Sequence, residues 1–285
     1  MIYISSSCVK NSTIKQSIEE LVSNNILNIE LSGGTQYYTD IEYDLLSLQT
    51  KYDLNIICHN YFPPPKENFV LNLASLNDEI YEKSIQHLIK SINLSKKIGA
   101  SKFGFHAGFF MDISTNEIGK KISNKKLFDK NECLQQFIKA FTILKEEAGT
   151  LNLYIENNVY SKTNFNTFQN NNPFMLCSHQ DYLNLKKEID FNLLLDVAHL
   201  KVSSKTLNLN FKEELEKLII CSDYIHISEN DSLHDLNLGF NNSSEIICEL
   251  NKYDLQNKDF TLETYTKIND IMNNYSVLRK MINND

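Results

Sequence analysis

The stretch "LLLDVAHL" (193–200) ends an apolar run in two side chains that can do chemistry. Asp196 closes the run, and His199 follows about one helical turn later. A carboxylate and an imidazole are both ligands for divalent cations, and both can transfer protons. A helix N-cap is the competing explanation for Asp196, because aspartate caps helices well. The pattern indicates a metal or proton-transfer site.

The same kind of ending recurs on other apolar runs. Carboxylates gathered in one cleft would repel one another, so a divalent cation is their simplest stabiliser. Carboxylates with one histidine suit Mn²⁺, Co²⁺, Mg²⁺ or Zn²⁺, and additional histidines favour Zn²⁺ or more than one ion. The further side chains at or near the ends of such runs are His59, His106, Glu156, His226 and Glu263.

The elements that must position these groups are short apolar runs that alternate with segments of helical periodicity. Gly99 and Gly149 stand where helix C-terminal caps belong. Eight strand–helix units predict an α/β fold, a single (β/α)8 TIM barrel formed by residues 1–285 as one domain. An open doubly wound sheet is the alternative, but no glycine-rich turn follows the first strand. The predicted strands are residues 2–5, 26–31, 54–59, 102–107, 151–156, 191–196, 223–228 and 259–264.

Three connections are long, namely residues 60–77, 108–129 and 157–178. Long connections inside a compact domain are commonly functional, although asparagine-rich drift also explains the composition of the third. Each follows a strand that supplies a proposed ligand. Because active sites of such barrels form at the C-terminal strand ends, we expect all three loops on that catalytic face.

Composition and charge narrow the class of ligand. The net charge is −8, and the 28 cationic residues include a single arginine, Arg279. This balance makes nucleic acid an improbable partner, since phosphate backbones need clustered Lys and Arg. The N-terminus has no basic segment before a long apolar stretch, and no run of 18 apolar residues occurs. We expect a cytoplasmic protein without a membrane partner.

The ordered motifs resemble the xylose-isomerase-like barrel superfamily, which includes sugar-phosphate isomerases and epimerases and the endonuclease IV repair enzymes. They follow the order of that superfamily and cover nearly the whole chain. The matching stretches are "CHNYFPPP", "FGFHAG", "YIENN", "LLLDVAHL", "DYIHISEND" with "HDLNLG", and "TLET".

In the isomerase and epimerase branch, the resemblance implies one metal ion and an acid–base pair. Glu156 and Glu263 would be that catalytic pair as well as ligands, and His199 would contact substrate or metal. The implied metal ligands are Glu156, Asp196, His226 and Glu263.

In the endonuclease IV branch, further groups complete a three-zinc site. That branch has an Asp-x-His after the seventh strand, where this chain reads Asp235-Leu236-Asn237. An amide is a poor zinc ligand, which counts against a third zinc. The positions of this chain that match the additional ligands are His59, His106, His199 and Asp235.

Two functions follow from these observations. The first is a metal-dependent isomerase or epimerase of a sugar or sugar phosphate, with a small carbohydrate as its partner. The second is an endonuclease IV-like zinc phosphodiesterase acting on abasic DNA. Glu30 could bind a sugar hydroxyl or be a turn-forming residue. Lys201 could meet a phosphate or carboxylate or be a solvated lysine. Whether the chain forms a homo-oligomer stays open.

Overall fold

Eight parallel strands form a closed barrel in chain order, as the sequence predicts. The computed structural model describes residues 1–283. Strand β1 closes the barrel against β8, with Ile2 opposite Phe260 and Ile4 opposite Leu262. The strands are β1 Ile2–Ser5, β2 Asn28–Leu31, β3 Asn55–His59, β4 Lys102–His106, β5 Asn152–Glu156, β6 Asn192–Asp196, β7 Tyr224–Ile227 and β8 Asp259–Leu262.

Helices follow the strands and cover the barrel. Thr13 and Gln16 form a capping box at the start of the first helix. Gly99 and Gly149 both have positive φ angles just beyond the helices they were predicted to end. The helices are α1 Ile14–Ser23, α2 Ile41–Tyr52, α3 Asp78–Lys97, α4 Lys130–Ala148, α5 Lys162–Phe168, α6 His179–Glu188, α7 Val197–Thr206, α8 Phe211–Ile219, α9 Glu245–Leu250 and α10 Ile268–Asn283, with a 3-10 turn at Ser6–Cys8.

The apolar faces of the strands and helices form the main core between barrel and helices. A smaller cluster fills the barrel interior with Tyr3, Ile57, Tyr154, Leu194 and Tyr224. Side chains alternate across each strand, so one half of every strand faces the interior and the other half faces the helices. The filled interior leaves the C-terminal mouth as the place for chemistry.

The three long loops pack together above that mouth, on the expected face. They build a second apolar cluster, here called the loop core. The ring centroids of Phe109 and Phe174 lie 5.8 Å apart in an edge-to-face contact, which joins residues 108–129 to residues 157–178. The third stretch is not wholly a loop, because Ser161 caps the short helix α5 within it. The loop core consists of Val70, Phe109, Met111, Ile113, Ile122, Tyr160, Phe168, Phe174 and Cys177.

No helix in residues 1–283 is both long and apolar enough to cross a membrane.

Candidate active site

Four strand ends bring three carboxylates and one imidazole together. Glu156 and Asp196 end β5 and β6, His226 lies within β7, and Glu263 follows the last residue of β8. One ligand atom from each lies within 4.8 Å of all the others. This set is the one that the isomerase branch of the resemblance implies, and it is called the four-residue centre below.

Two atoms of the four-residue centre are buried without a hydrogen-bond partner. They are Glu156 Oε1 and His226 Nδ1, which lie 3.3 Å apart. The same His226 Nδ1 is 3.4 Å from Glu263 Oε2. Buried polar atoms without partners are costly, and a cation between them would satisfy both. The donor set of three carboxylates and one imidazole fits Mn²⁺, Co²⁺, Mg²⁺ or Zn²⁺.

The second ring nitrogen of His226, Nε2, is held by a buried carboxylate. His226 Nε2 lies 3.0 Å from Glu30 Oε2, and Thr261 Oγ1 donates to the same oxygen at 2.9 Å. A carboxylate behind the ring fixes the tautomer that leaves Nδ1 free for a cation. Glu30 is fully buried and lies beneath the centre rather than on the cleft wall. Its position differs from the expected contact with a sugar hydroxyl, since a barrel strand directs alternate side chains into the closed interior.

Asp196 has the N-cap role that the sequence offered as the competing explanation, and its carboxylate also lies in the four-residue centre. It is the N-cap of α7, where its Oδ1 accepts a hydrogen bond from the His199 backbone N–H at 2.7 Å. Asn157 holds the Asp196 backbone on both sides, accepting from its N–H at 2.8 Å and donating to its carbonyl at 3.0 Å. The cap and the clamp fix the carboxylate within the centre.

His59 and His106 both approach Glu156. The distances to Glu156 Oε2 are 2.9 Å from His59 Nε2 and 2.8 Å from His106 Nδ1. His59 can also share an ion with Glu156 and His226. The register places His106 directly beside Glu156 across β4 and β5. Gly104 makes room for this packing, because a Cβ there would lie 3.0 Å from the His59 ring and 2.8 Å from Leu194.

His199 and Asp235 lie at the margin of the centre. His199 Nδ1 is 2.9 Å from the Asn157 carbonyl, and its Nε2 is 3.5 Å from Asp235 Oδ2. Neither residue belongs to any set of three ligands in the described chain, and His106 also lies outside those sets. Asn237 stands where the endonuclease branch has a histidine, and its Oδ1 accepts from Ser228 at 3.4 Å.

The charges around the centre compensate one another. Burial raises the pKa of Glu156, but His106, His59 and His226 outweigh it and hold that pKa well below its usual range. Burial opposes ionisation of Glu263 too, yet His226 lowers its pKa to about 2. For Asp196, burial prevails and raises the pKa to about 7. The two glutamates are therefore carboxylates at neutral pH.

Lys201 is placed differently from either alternative for it, since it is neither free for a ligand nor solvated. The side chain is buried, and its Nζ lies 2.6 Å from Glu229 Oε1 and 3.1 Å from Glu245 Oε2. It also donates to the Asn230 carbonyl. A buried lysine needs such partners, and this ion pair joins α7 to the segment between β7 and α9. Its sequence position did not reveal the two partners.

Two adjoining cavities reach Glu263 of the four-residue centre. They share Asn60, Tyr61, His106, Glu263 and Tyr265. The first, about 440 Å³, lies under the long loops and is here called the apolar chamber; its apolar lining includes Leu71, Phe109, Ile113, Ile118, Ile122 and Phe174. The second, about 630 Å³, lies beside the segments after β1 and β2 and is here called the polar chamber; its lining includes Ser7, Lys10, Ser12, Ser32, Gly33 and Gln36.

Comparison with known proteins gives a family match over most of the chain. A family described as a xylose isomerase-like TIM barrel matches residues 30–281. The Aquifex aeolicus (strain VF5) protein named "Probable endonuclease 4" is 26% identical over 171 residues, which are 58% of this chain and 53% of that protein. The chain thus spans about half the length of that curated relative.

Two solved structures show the same fold over nearly their whole length. A D-tagatose 3-epimerase-like protein has a TM-score of 0.72 at 18% identity, covering 99% of this chain and 98% of the other. Endonuclease IV from Thermus thermophilus has a TM-score of 0.62 at 14% identity, covering 100% and 99%. At these identities the similarity establishes the fold, and the reaction has to be inferred from the residues of the site.

Proposed function

Because this chain belongs to the xylose isomerase-like TIM barrel family, we propose that it is a divalent-metal-dependent isomerase or epimerase of a sugar or sugar-phosphate-like molecule. One observation carries the proposal: Glu263, a member of the four-residue centre, lines both of two adjoining cavities bordered by the chain's own loops. Cavities of this size match small-molecule sites. An acidic centre beside cavities of this size suits a small polyhydroxylated substrate.

The four-residue centre, Glu156, Asp196, His226 and Glu263, would hold the cation. When bound, it supplies a positive charge that polarises the carbonyl and the neighbouring hydroxyl of the substrate. Glu30 and Thr261 keep the His226 ring oriented for this, and Asn157 does so for Asp196.

Proton transfer falls to the two glutamates. Glu263 lines both chambers, and its side chain is 12% exposed, whereas that of Glu156 is almost fully buried. Both are carboxylates at neutral pH for the reasons given above, so each can accept a proton from carbon next to a carbonyl. One glutamate removes the proton and the other returns one, which interconverts aldose and ketose or inverts a centre. His106 and His199 line the apolar chamber and can hydrogen-bond substrate oxygens.

An endonuclease IV-like zinc phosphodiesterase is the second candidate. It is favoured by the two imidazoles, His59 and His106, that lie within 3 Å of Glu156 Oε2. His59 also forms a further possible ligand set with Glu156 and His226. The Aquifex aeolicus relative points the same way. Asn237, the net charge of −8 and the single arginine oppose it, because duplex DNA needs a cationic surface.

Metal content and turnover decide between the two. The protein is purified, its metal is counted by mass spectrometry, and Mn²⁺, Co²⁺, Mg²⁺ and Zn²⁺ are added back separately. We expect about one ion per chain and conversion of at least one member of a panel of ketoses and their phosphate esters. Three tightly held zinc ions together with cleavage of an abasic-site oligonucleotide would overturn the proposal.

A further inference from the structure

The two chambers that meet at the centre differ in chemistry. The polar chamber is formed by serines, glycines, Lys10 and Gln36 from the segments after β1 and β2. The apolar chamber is formed by side chains of the long loops, which otherwise build the loop core. A ligand that spans both chambers therefore meets a mainly apolar wall in one and a mixed wall, with polar groups such as Lys10 and Gln36, in the other.

Two polar side chains on the wall of the apolar chamber, Asn158 and Asn164, are hydrogen-bonded to the protein's own backbone. Asn158 Nδ2 donates to the carbonyls of Ala107, Gly108 and Met175 at 2.9 to 3.2 Å. Asn164 accepts from the Ile122 N–H at 2.9 Å and donates to the Lys120 carbonyl at 3.3 Å. The Asn158 amide therefore has no donor left for substrate hydroxyls, whereas Asn164 keeps one N–H beyond its bond to Lys120.

The rim of the apolar chamber also carries large apolar side chains. Ile118 lines it and is 45% exposed, and Leu236 lines it from the segment after β7 and is 42% exposed. When a ligand covers large apolar side chains that are exposed at a cavity mouth, binding becomes more favourable because apolar surface is removed from water. Lys120 and Lys121, also at the rim, are exposed.

The polar chamber offers the complementary surface. Lys10 and Gln36 are exposed there, which leaves an ammonium and an amide for ligand oxygens. Gly33 and Gly34 have no side chains to fill the space, and a Cβ at Gly34 would meet nothing within 4 Å. A hydroxylated group can thus approach this backbone closely.

We propose that the substrate is a sugar that carries an apolar substituent. The inference rests on the function proposed above and specifies its substrate class. The hydroxylated part lies in the polar chamber, and the reacting carbon lies beside Glu263 at the junction. An aryl, alkyl or acyl group fills the apolar chamber between Phe109, Ile118 and Phe174. An unsubstituted sugar would leave that chamber without a complementary ligand.

The test is binding of matched glycosides to the metal-free protein by titration calorimetry. The probes are methyl and phenyl glycosides of glucose, galactose, mannose and xylose. Burial of the phenyl ring should tighten binding roughly tenfold or more for at least one sugar. Equal affinities for the methyl and phenyl members of all four pairs would overturn the proposal.

The variant Ile118→Asp locates the effect. It places a charge at the mouth of the apolar chamber and, being at an exposed position, should leave thermal unfolding unchanged. We expect the phenyl preference to fall to about threefold or less. The matched control is Ile143→Asp on α4, at a position 41% exposed, which should keep the preference. A preference that survives Ile118→Asp would contradict the assignment of the chamber.

Failure of this inference is separate from failure of the proposed function. Turnover of unsubstituted ketoses without any phenyl preference would retain the function and reject the substrate class. A phenyl preference that Ile118 controls, in a protein that turns over no ketose with any metal, would retain the two-chamber ligand and reject the reaction.

Discussion

Glu263 and Asp196 both contribute a carboxylate to the four-residue centre, but their surroundings differ. Asp196 is buried, and its carboxylate also caps α7 through the His199 N–H. Glu263 lies beyond the end of β8 and lines both chambers. Asp196 is thus placed to hold a cation, whereas Glu263 can also reach a substrate.

The substitution Glu263→Gln tests the proton-transfer role. The amide keeps the size and one ligand oxygen but cannot act as a base. We expect turnover to fall roughly 10²-fold or more while much of the metal is retained. Turnover and metal content are measured on the same preparation, and a wild-type rate with metal bound would refute the role of Glu263.

The substitution Asp196→Asn provides the contrast. Loss of this buried charge should weaken metal binding by about 10-fold or more, and excess metal should restore part of the rate. The check is a titration of turnover against metal concentration for wild type and variant. A rate that stays low at saturating metal would show that Asp196 does more than hold the ion.

At the scale of residues, the sequence was sufficient for the groups at strand ends. Glu156, Asp196 and His226 converge because barrel closure brings the C-terminal ends of all strands to one mouth. The burial of Glu30 could not be predicted from the sequence. A side chain within a barrel strand faces either the interior or the surrounding helices, and the orientation of the strand decides which. Lys201 needed two distant partners, Glu229 and Glu245, that no local pattern reveals.

Among the elements, the long loops depend on one buried amide. Asn72 Oδ1 accepts from the N–H groups of Phe109 and Ala74 at 2.9 and 3.1 Å. Its Nδ2 donates to the carbonyls of Phe109 and Met111 at 3.1 and 3.2 Å. Asn72 therefore ties the loop after β3 to the loop after β4, which forms the wall of the apolar chamber.

We expect Asn72→Ala to destabilise this wall. Removal of the amide leaves buried backbone groups without partners and should lower the free energy of unfolding by about 2–4 kcal/mol. Hydrogen exchange should accelerate in residues 108–113 first. The matched control is Asn68→Ala, at an exposed position of the same loop, with a change of less than about 0.5 kcal/mol. Equal effects of the two substitutions would contradict the role of Asn72.

Helix α3 meets the loop after β3 through His87. This residue is buried, its Nε2 has no hydrogen-bond partner, and its ring lies near Tyr61 and Phe69. Burial lowers the pKa of His87 to about 4, against a hydrogen bond with the Asn60 backbone, and the charge of Lys90 adds to the lowering. The folded protein thus keeps a neutral imidazole where the unfolded chain binds a proton.

This difference predicts a loss of stability in mild acid. The unfolded histidine is protonated below a pH of about 6.5, so stability is full above that value and falls as the pH drops towards 4. We expect His87 to account for about 2 kcal/mol of the loss between pH 7.5 and pH 4.5. Denaturant unfolding of wild type and His87→Leu measures it, with His179→Leu as the control. Parallel pH profiles for wild type and His87→Leu would disprove it.

At the same scale, the alternation of apolar runs and helical periodicity was enough for all eight strands and the order of the barrel. Strand β1 has the predicted bounds, and the other seven strands are shorter than their predicted runs because the flanking residues pack without joining the ladder. Helix α5 escaped prediction because its seven residues carry only one apolar pair at helical spacing, Phe165 and Phe168, and it depends on the Ser161 cap and the loop core. Loop conformations are set by such tertiary contacts, which a local pattern does not contain.

At the scale of the whole molecule, an acidic barrel carries a charge-compensated cluster of three carboxylates and one imidazole beside two cavities that differ in polarity. The net charge and the size of the cavities argue for a small substrate, and in the proposed reaction the two glutamates would be the proton acceptors. Membership of the family is compatible with either isomerisation or phosphodiester hydrolysis. The two reactions are therefore distinguished by the chemistry measured at the site.

The central claim is proton transfer at carbon next to a carbonyl, and solvent exchange measures it most directly. Protein loaded with Mn²⁺ or Co²⁺ is incubated in D₂O with the ketose panel, and carbon-bound deuterium is read by NMR. We predict deuterium at the carbon beside the carbonyl in the product, lost on chelation and reduced roughly 10²-fold or more in Glu263→Gln. Absence of exchange from every ketose, with zinc-dependent cleavage of an abasic-site oligonucleotide, would contradict the account.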